Sequence, residues 1–230
     1  MLKKYKAVFF DVGGTLIQAH PSVGDIYAKH ARPFGYAGDA GPIDRQFALE
    51  WRKTGGLEAL GSQTGETAER EFWRDLVVRI FQPFGGLNNF DAYFEIIYDV
   101  FRSKESWRIY EDVRQSGLLE RLKRRGVVLG VISNWDSRLH AILENMDLAR
   151  HFKFILASSV VGSAKPDAKI FQTALRKSGV AANEACHIGD SLHSDFLGAR
   201  NAGLDAILID RNGGLDGEAV PRVRSFLELV

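Results

Sequence analysis

Six polar side chains in this sequence follow short apolar segments of the kind that form buried strands. They are Asp11, Ser133, Asn134, Lys165, Asp190 and Asp195. Carboxylate oxygens are the ligands that Mg²⁺ prefers in proteins, and a lysine together with a hydroxyl suits a phosphoryl group. Asp11 could act there either as a metal ligand or as a nucleophile. These residue types therefore predict a magnesium and phosphate site, provided that the fold brings the side chains together.

The segments that precede these residues predict the strands of one parallel sheet. Apolar runs occupy residues 7–10, 127–132, 152–157, 185–188 and 206–209, and their length and β-branched content are typical of strands buried on both faces. Helical patterns alternate with them at residues 113–125, 139–146, 168–178 and 195–202, with Asp136 and Asp167 as N-caps and Gly179 as a stop. We expect an α/β fold with a doubly wound, parallel-sheet, Rossmann-like core, whose polar residues meet at the carboxyl edge of the sheet.

A long segment separates the first predicted strand from the second. Residues 17–108 carry aromatic and aliphatic side chains at helical spacing, interrupted by glycines. We interpret them as an α-helical cap domain that is inserted into a core of residues 1–16 and 109–230. An insertion at that point lies above the carboxyl edge of the sheet, where open α/β domains bind ligands.

The composition argues against several classes of protein. Lys and Arg total 30 against 29 Asp and Glu, a net charge of +1 over 230 residues, so no overall field attracts nucleic acid or an anionic membrane. The single cysteine, Cys186, excludes an internal disulfide, and the apolar stretches are too short for a signal peptide or a membrane span. We expect a cytoplasmic protein that binds a small molecule rather than nucleic acid or membrane; its oligomeric state cannot be read from the sequence.

Four short motifs, in order, resemble those of the haloacid dehalogenase-like (HAD) hydrolase superfamily. They read FFDVGGTL from residue 9, ISN from residue 132, KPD from residue 165 and IGDS from residue 188, with Asp195 five positions after Asp190. The inserted helices are similar to the cap domain of that superfamily, and the sequence is most similar to its DREG-2-like branch, also called HDHD3-like. The resemblance implies a hydrolase with a Rossmann-like core.

The resemblance also implies a role for each motif residue. Asp11 would attack phosphorus and form an aspartyl-phosphate, Ser133 would bond a phosphoryl oxygen, and Lys165 would neutralise the phosphoryl charge and hold Asp11. The implied substrate-binding positions are Asn134, Gly14 and Thr15. The implied Mg²⁺ ligands are Asp11, the backbone carbonyl of Gly13, Asp190 and Asp195, the last of these directly or through water.

One position departs from the pattern of the family's phosphatases. They carry a second Asp two residues after the nucleophile, where it protonates the leaving oxygen and later activates water, but this chain has Gly13. A positioned general acid or base typically contributes about 10²–10⁴-fold to the rate. We therefore expect a Mg²⁺-dependent phosphatase for a small phosphorylated metabolite that is impaired or restricted to good leaving groups, unless His20 or His193 substitutes for the acid.

Three alternatives remain open at this point. Haloacid- and phosphonate-cleaving branches of the superfamily also lack the second Asp, because their leaving groups need no such acid. The haloacid enzymes need no metal, so Asp190 argues against that reading, and a phosphonate enzyme needs an amine in its cap, for which Lys29 or Lys53 could serve. The third alternative is a non-catalytic relative that binds phosphate or a partner.

Overall fold

A computed structural model describes residues 1–214 and 220–230 of the chain. The strands in that part of the chain are β1 Ala7–Phe10, β2 Ile17–Ala19, β3 Trp107–Ile109, β4 Val128–Ser133, β5 Phe154–Ala157, β6 Ala185–Gly189, β7 Asp205–Ile209 and β8 Arg222–Val223. Six of the described strands form one parallel sheet in the order β5-β4-β1-β6-β7-β8. The predicted α/β, doubly wound fold is confirmed. The two-residue edge strand β8 was not predicted, because a pair of residues carries no periodic pattern.

The first strand lies between β4 and β6, and the chain leaves it first toward β4 and β5 and later toward β6 and β7. This change of direction opens a crevice at the carboxyl end of β1, the usual ligand site of such sheets. Side chains of β1 alternate between two hydrophobic clusters, with Val8 and Phe10 on one face and Ala7 and Phe9 on the other. Burial of both faces explains why the strand reads as an unbroken apolar run.

The described helices occupy both sides of the sheet and the segment after β2. They are α1 Val23–Ala31, α2 Ala40–Thr54, α3 Glu66–Phe81, α4 Phe90–Val100, α5 Glu111–Ser116, α6 Leu118–Arg124, α7 Leu139–Asn145, α8 Ser158–Val161, α9 Ala168–Ser178 and α10 Gly198–Asn201. The carboxylate of Asp167 accepts a hydrogen bond from Lys169 N, and Gly179 ends α9 at a φ of 79°. Both ends of α9 therefore agree with the cap and stop expected from the sequence.

Three helix predictions need correction. The single helix expected over residues 113–125 is two helices, α5 and α6, because Gly117 adopts a left-handed φ of 56° that ends the first. The helix expected over residues 195–202 is a π-helical turn, Leu192–Leu197, followed by the short α10. Arg138 rather than Asp136 is the N-cap residue of α7, since the carboxylate of Asp136 instead accepts from both the backbone and the guanidinium of Arg138.

Residues 17–108, called the insertion below, contain α1 to α4 packed around an aromatic cluster that includes Tyr27, Phe81 and Tyr93. The prediction that this segment is purely helical needs correction. The chain enters and leaves it through the antiparallel pair β2 and β3, in which Ile17 lies opposite Ile109. Two connections that run side by side satisfy each other's backbone groups by pairing, and three-residue strands are too short to show an alternating pattern. The exact division into core and cap stays a prediction.

Within residues 1–214 and 220–230, no helix is both long enough and apolar enough to cross a membrane.

Candidate active site

The carboxyl edge of the sheet brings together the residues that the sequence analysis selected. Asp11 directly follows β1, Ser133 is the last residue of β4, and Asp190 directly follows β6. Ser133 Oγ donates a hydrogen bond to Asp11 Oδ1 at 2.7 Å, and Lys165 Nζ donates to the same oxygen at 2.6 Å. Among the residues that the structure describes, no donor reaches the other oxygen, Oδ2. The Asp11 carboxylate is thus held by one oxygen and free at the other.

Lys165 is 2% exposed and lies between the carboxylates of Asp11 and Asp195, to both of which its ammonium donates. Burial by itself would lower the pKa of Lys165, but the two carboxylates outweigh it and raise this pKa above its usual range. Lys165 therefore stays protonated at neutral pH. It supplies a positive charge beside the buried carboxylate of Asp11, which would otherwise be unpaired.

Asn134 positions Lys165. Its side-chain Oδ1 accepts from Lys165 N at 2.8 Å, and its Nδ2 donates to Lys165 O at 2.8 Å. The same Nδ2 donates to Glu58 Oε1 at 3.0 Å. Both N–H groups of this amide are thus engaged within the protein, which leaves neither for the substrate contact that the sequence analysis expected of Asn134.

Gly14 and Thr15 lie against Asp190 rather than in the open part of the site. A Cβ built on Gly14 would stand 2.3 Å from Asp190 Oδ2, and the residue has a φ of 76°, so both space and backbone require glycine here. Thr15 is fully buried, and its hydroxyl donates to Asp190 Oδ1 at 3.2 Å. These contacts suit a role in placing the Asp190 carboxylate, whereas the sequence analysis assigned both residues to substrate.

Three carboxylates form a cluster that fits a divalent cation. Oxygens of Asp11, Asp190 and Asp195 all lie within 4.8 Å of one another, with Lys165 as their one close ammonium among the described residues. Asp190 is open to solvent on one side, but desolvation by the surrounding protein and repulsion from Asp11 and Asp195 raise its pKa to about 7. Burial also raises the pKa of Asp11. Both shifts show that the charged form of these carboxylates is disfavoured here, and hard carboxylate oxygens are the donors that Mg²⁺ takes.

Asp195 is engaged more fully than the other two carboxylates. Its Oδ1 meets Lys165 Nζ and, at 2.8 Å, His187 Nε2, while its Oδ2 accepts from Ser191 N at 3.0 Å. Burial would raise the pKa of Asp195, but Lys165 and His187 hold it well below its usual range. With both oxygens occupied, Asp195 is better placed to reach a cation through water than directly.

Comparisons with known proteins agree with this geometry. The family described as haloacid dehalogenase-like hydrolase matches residues 5–203. The chain belongs to the haloacid dehalogenase-like hydrolase family. It is 32% identical over 220 residues to haloacid dehalogenase-like hydrolase domain-containing protein 3 of Mus musculus, which covers 93% of this chain and 86% of the mouse protein. The resemblance stated from the motifs is confirmed.

Two further comparisons extend the picture. The chain is 35% identical over 175 residues to a phosphoserine phosphatase of Thermus thermophilus, which covers 74% of this chain and 66% of that protein. A solved dehalogenase structure matches with a TM-score of 0.75 at 22% identity, over 100% of this chain and 97% of the other. At that identity the structural match shows a shared fold.

In this haloacid dehalogenase-like hydrolase, the insertion closes over the sheet edge through buried polar contacts. Glu69 of α3 is 1% exposed and accepts from the backbone and the hydroxyl of Ser137 and from Ser159 Oγ at 2.6 Å. Trp73 Nε1 donates to Asp136 Oδ2 at 2.7 Å. These bonds join the insertion to the loop after β4 and to α8, so the two surfaces enclose a cavity between them.

That cavity has a volume of about 510 Å³, and Asp11, Lys165 and Asp190 lie at its floor. Glu58, on the 3-10 turn Gly56–Leu60, is the acidic residue that the insertion contributes to its described lining. Glu58 Oε1 accepts from Ser194 Oγ at 2.8 Å as well as from Asn134. Glu58 was not predicted, because nothing in the sequence near residue 58 resembles a catalytic motif.

The residues named as substitutes for the missing acid, and the lysines named for a phosphonate enzyme, lie elsewhere. Neither His20 nor His193 is part of the described cavity lining. Lys29 and Lys53 are also absent from that lining, and Lys53 Nζ pairs with Glu50 at 2.8 Å. The structure therefore brings none of these four side chains to the candidate active site.

Proposed function

We propose that this haloacid dehalogenase-like hydrolase is a Mg²⁺-dependent phosphatase that transfers the phosphoryl group of a small substrate first to Asp11 and then to water. The observation that carries the proposal is the asymmetric environment of the Asp11 carboxylate. Lys165 and Ser133 both donate to Oδ1, whereas Oδ2 is free among the described residues and Asp11 lines the cavity. A carboxylate anchored by one oxygen presents the other to phosphorus in a defined orientation.

The reaction has two displacements at phosphorus. In the first, Asp11 Oδ2 forms a bond to phosphorus, and the bond to the leaving oxygen breaks with its electron pair going to that oxygen. In the second, water attacks phosphorus, the bond to Asp11 breaks with its electron pair returning to the Asp11 carboxylate, and the proton of the water passes to solvent. Lys165 keeps its proton throughout and stabilises negative charge next to the reacting carboxylate. Ser133 keeps that carboxylate in place.

The donor set fits a magnesium ion, which the crowded carboxylates would accept. Asp11, Asp190 and the backbone carbonyl of Gly13 would hold it, with Asp195 acting through water. Bound Mg²⁺ would supply positive charge that offsets the repulsion between the phosphoryl oxygens and the aspartates. The phosphoserine phosphatase of Thermus thermophilus, at 35% identity, is a relative whose name gives the same class of reaction.

The two alternative chemistries have less support. A phosphonatase needs an amine in the insertion, and neither Lys29 nor Lys53 lines the cavity. A haloacid dehalogenase must bind the carboxylate of its substrate, but Glu58 and Asp190 add negative charge to a cavity whose described cations are already paired. Phosphoryl transfer uses a cation that the aspartate cluster can hold, whereas halide displacement needs no metal.

The test is phosphate release from phenyl phosphate with Mg²⁺ and after its removal by EDTA, together with chloride release from 2-chloropropionate. We expect Mg²⁺-dependent phosphate release, no chloride release, and loss of phosphate release in Asp11→Asn. Asp99→Asn is the matched control, because Asp99 is 74% exposed on the insertion. Chloride release, or phosphate release that survives both EDTA and Asp11→Asn, would overturn the proposal.

A further inference from the structure

The upper walls of the cavity are built mainly from aromatic side chains. All four tryptophans of the chain, Trp51, Trp73, Trp107 and Trp135, line it, and each is half-buried. Phe47, Trp51 and Trp73 form a continuous stack with ring centroids 5.6 and 5.7 Å apart. A second pair of lining rings is Trp107 and Trp135, whose centroids lie 5.0 Å apart. These two sets of rings, called the aromatic walls below, line the same cavity as Asp11 and Lys165.

The cavity holds no cation that a second anionic group could use. Its described lining contains two cationic side chains, Lys165 and Arg138. Lys165 is paired with Asp11 and Asp195, and the Arg138 fork meets both oxygens of Asp136 at 2.6 and 2.9 Å. A carboxylate elsewhere on the substrate would therefore find no cation to pair with. Burial of a charge without a partner of opposite sign costs free energy.

Among the described lining residues, the one charged group that comes from the insertion is the carboxylate of Glu58. Glu58 accepts hydrogen bonds from Asn134 and Ser194, both neutral, so neither partner offsets its negative charge. It repels an anionic substituent. A polyol substrate would in turn need several hydrogen-bonding partners, whereas the upper walls are mostly hydrocarbon and ring faces.

We infer that the substrate is the phosphate monoester of an uncharged aromatic alcohol, with its ring between the two aromatic walls; this inference rests on the proposed phosphatase function. Ring faces in offset or edge contact, together with the apolar area removed from water, supply the binding. The relevant class is therefore an aryl phosphate, and neither a carboxylated phosphate nor a sugar phosphate belongs to it.

The chemistry of the leaving group agrees with this class. When Asp11 attacks, the bond from phosphorus to the phenolic oxygen breaks and its electron pair stays on that oxygen as phenolate, which later takes a proton from solvent. Phenols ionise with a pKa of about 10, far below the 15.7 of water that aliphatic alcohols approach. Such a leaving group needs no acid at position 13, where this chain has Gly13.

Binding is measured first, separately from turnover. Asp11→Asn with Mg²⁺ is titrated with phenyl phosphate, biphenyl-4-yl phosphate, glycerol 3-phosphate, phosphoglycolate and inorganic phosphate by calorimetry, and with phenyl phosphate by tryptophan fluorescence. We expect the two aryl esters to bind at least about tenfold more tightly than the other three, from the burial of one ring. Phenyl phosphate should also change the tryptophan fluorescence. Equal affinity for all five, or preference for a carboxylated or polyol ester, would overturn the inference.

Turnover by the wild type is then compared across the same esters with two variants. Trp51→Leu should raise KM for the aryl esters about tenfold with little change for glycerol 3-phosphate, whereas Phe84→Ala, an exposed aromatic residue outside the described cavity lining, should change neither. Aryl binding without phosphate release from any ester would support the inferred ligand class and contradict the phosphatase function. Phosphate release with higher kcat/KM for polar esters would contradict the inferred class and leave the phosphatase function standing.

Discussion

Trp135 lies directly over Gly13. A Cβ built on this glycine would stand 3.1 Å from Cζ3 of the indole, closer than an ordinary van der Waals contact. The indole itself rests against Trp107, with ring centroids 5.0 Å apart. An aromatic ring therefore occupies the space next to position 13 into which an acidic side chain would extend. Trp135 and a side chain at position 13 compete for the same space.

This contact changes what restoring the acid should achieve. Gly13→Asp alone should not accelerate the hydrolysis of phenyl phosphate, because its side chain meets the ring of Trp135. Gly13→Asp with Trp135→Leu should accelerate it by part of the roughly 10²–10⁴-fold range of a positioned acid or base. Steady-state kcat measures both, with Trp135→Leu alone as control. A large gain in the single Gly13→Asp variant would show that the indole moves aside freely.

The wild type should show burst kinetics with an aryl phosphate. Phenolate leaves without help, but no carboxylate at position 13 activates the water that must then attack the phosphorylated Asp11. Rapid-quench experiments should release about one equivalent of phenol per enzyme and then turn over slowly. Asp11→Asn should lose both phases. Fast turnover of alkyl phosphates without a burst would instead indicate a substitute acid.

Glu58 is a candidate for the missing general acid or base. Its carboxylate lines the cavity and is oriented by Asn134 and Ser194. If Glu58 accepts the proton of the attacking water, Glu58→Gln should slow the steady-state phase by about 10²-fold or more and leave the burst amplitude intact. Glu105→Gln, a substitution at a surface residue, is the matched control. Equal steady-state rates in Glu58→Gln and the wild type would exclude Glu58 as the base.

Glu69 should be important for stability. This buried carboxylate receives three hydrogen bonds from Ser137 and Ser159, and Glu69→Ala would leave the buried Ser159 hydroxyl and the two part-buried donors of Ser137 without their acceptor. We expect a loss of about 1.5–3 kcal/mol in the free energy of unfolding, measured with urea. Glu71→Ala on the same helix replaces an exposed glutamate and should have little effect. A similar loss in both variants would mean that the buried contacts of Glu69 are not responsible.

His151 should make the protein less stable in mild acid. Its side chain is 8% exposed, and burial lowers the pKa of the imidazole despite Glu120 at 3.5 Å. The unfolded chain therefore binds a proton at higher pH than the folded one, so stability falls as the pH drops below about 6.5 toward the folded pKa. The free energy of unfolding should fall less between pH 7 and 5 in His151→Gln than in the wild type. His140→Gln, at an exposed histidine, should follow the wild type.

The sequence alone determined the sheet and the floor of the site. Continuous apolar runs predict strands buried on both faces, and the carboxyl ends of parallel strands share an edge. For that reason Asp11, Ser133 and Asp190 had to converge once the strands were recognised. Local signals also sufficed for the ends of α9, where Asp167 and Gly179 act through neighbouring backbone groups.

Tertiary structure decided which residues of the insertion line the site and what several neighbouring residues contact. Glu58 meets Ser194 across 136 positions of sequence, and the ring of Trp135 meets Gly13 across the crevice. Neither contact follows from a periodic pattern, because it depends on how the insertion is seated on the sheet. Asn134 likewise looked like a substrate ligand until its amide was found bonded to the backbone of Lys165. Residue type and spacing predict which groups reach an edge, but only packing decides which of their atoms remain free.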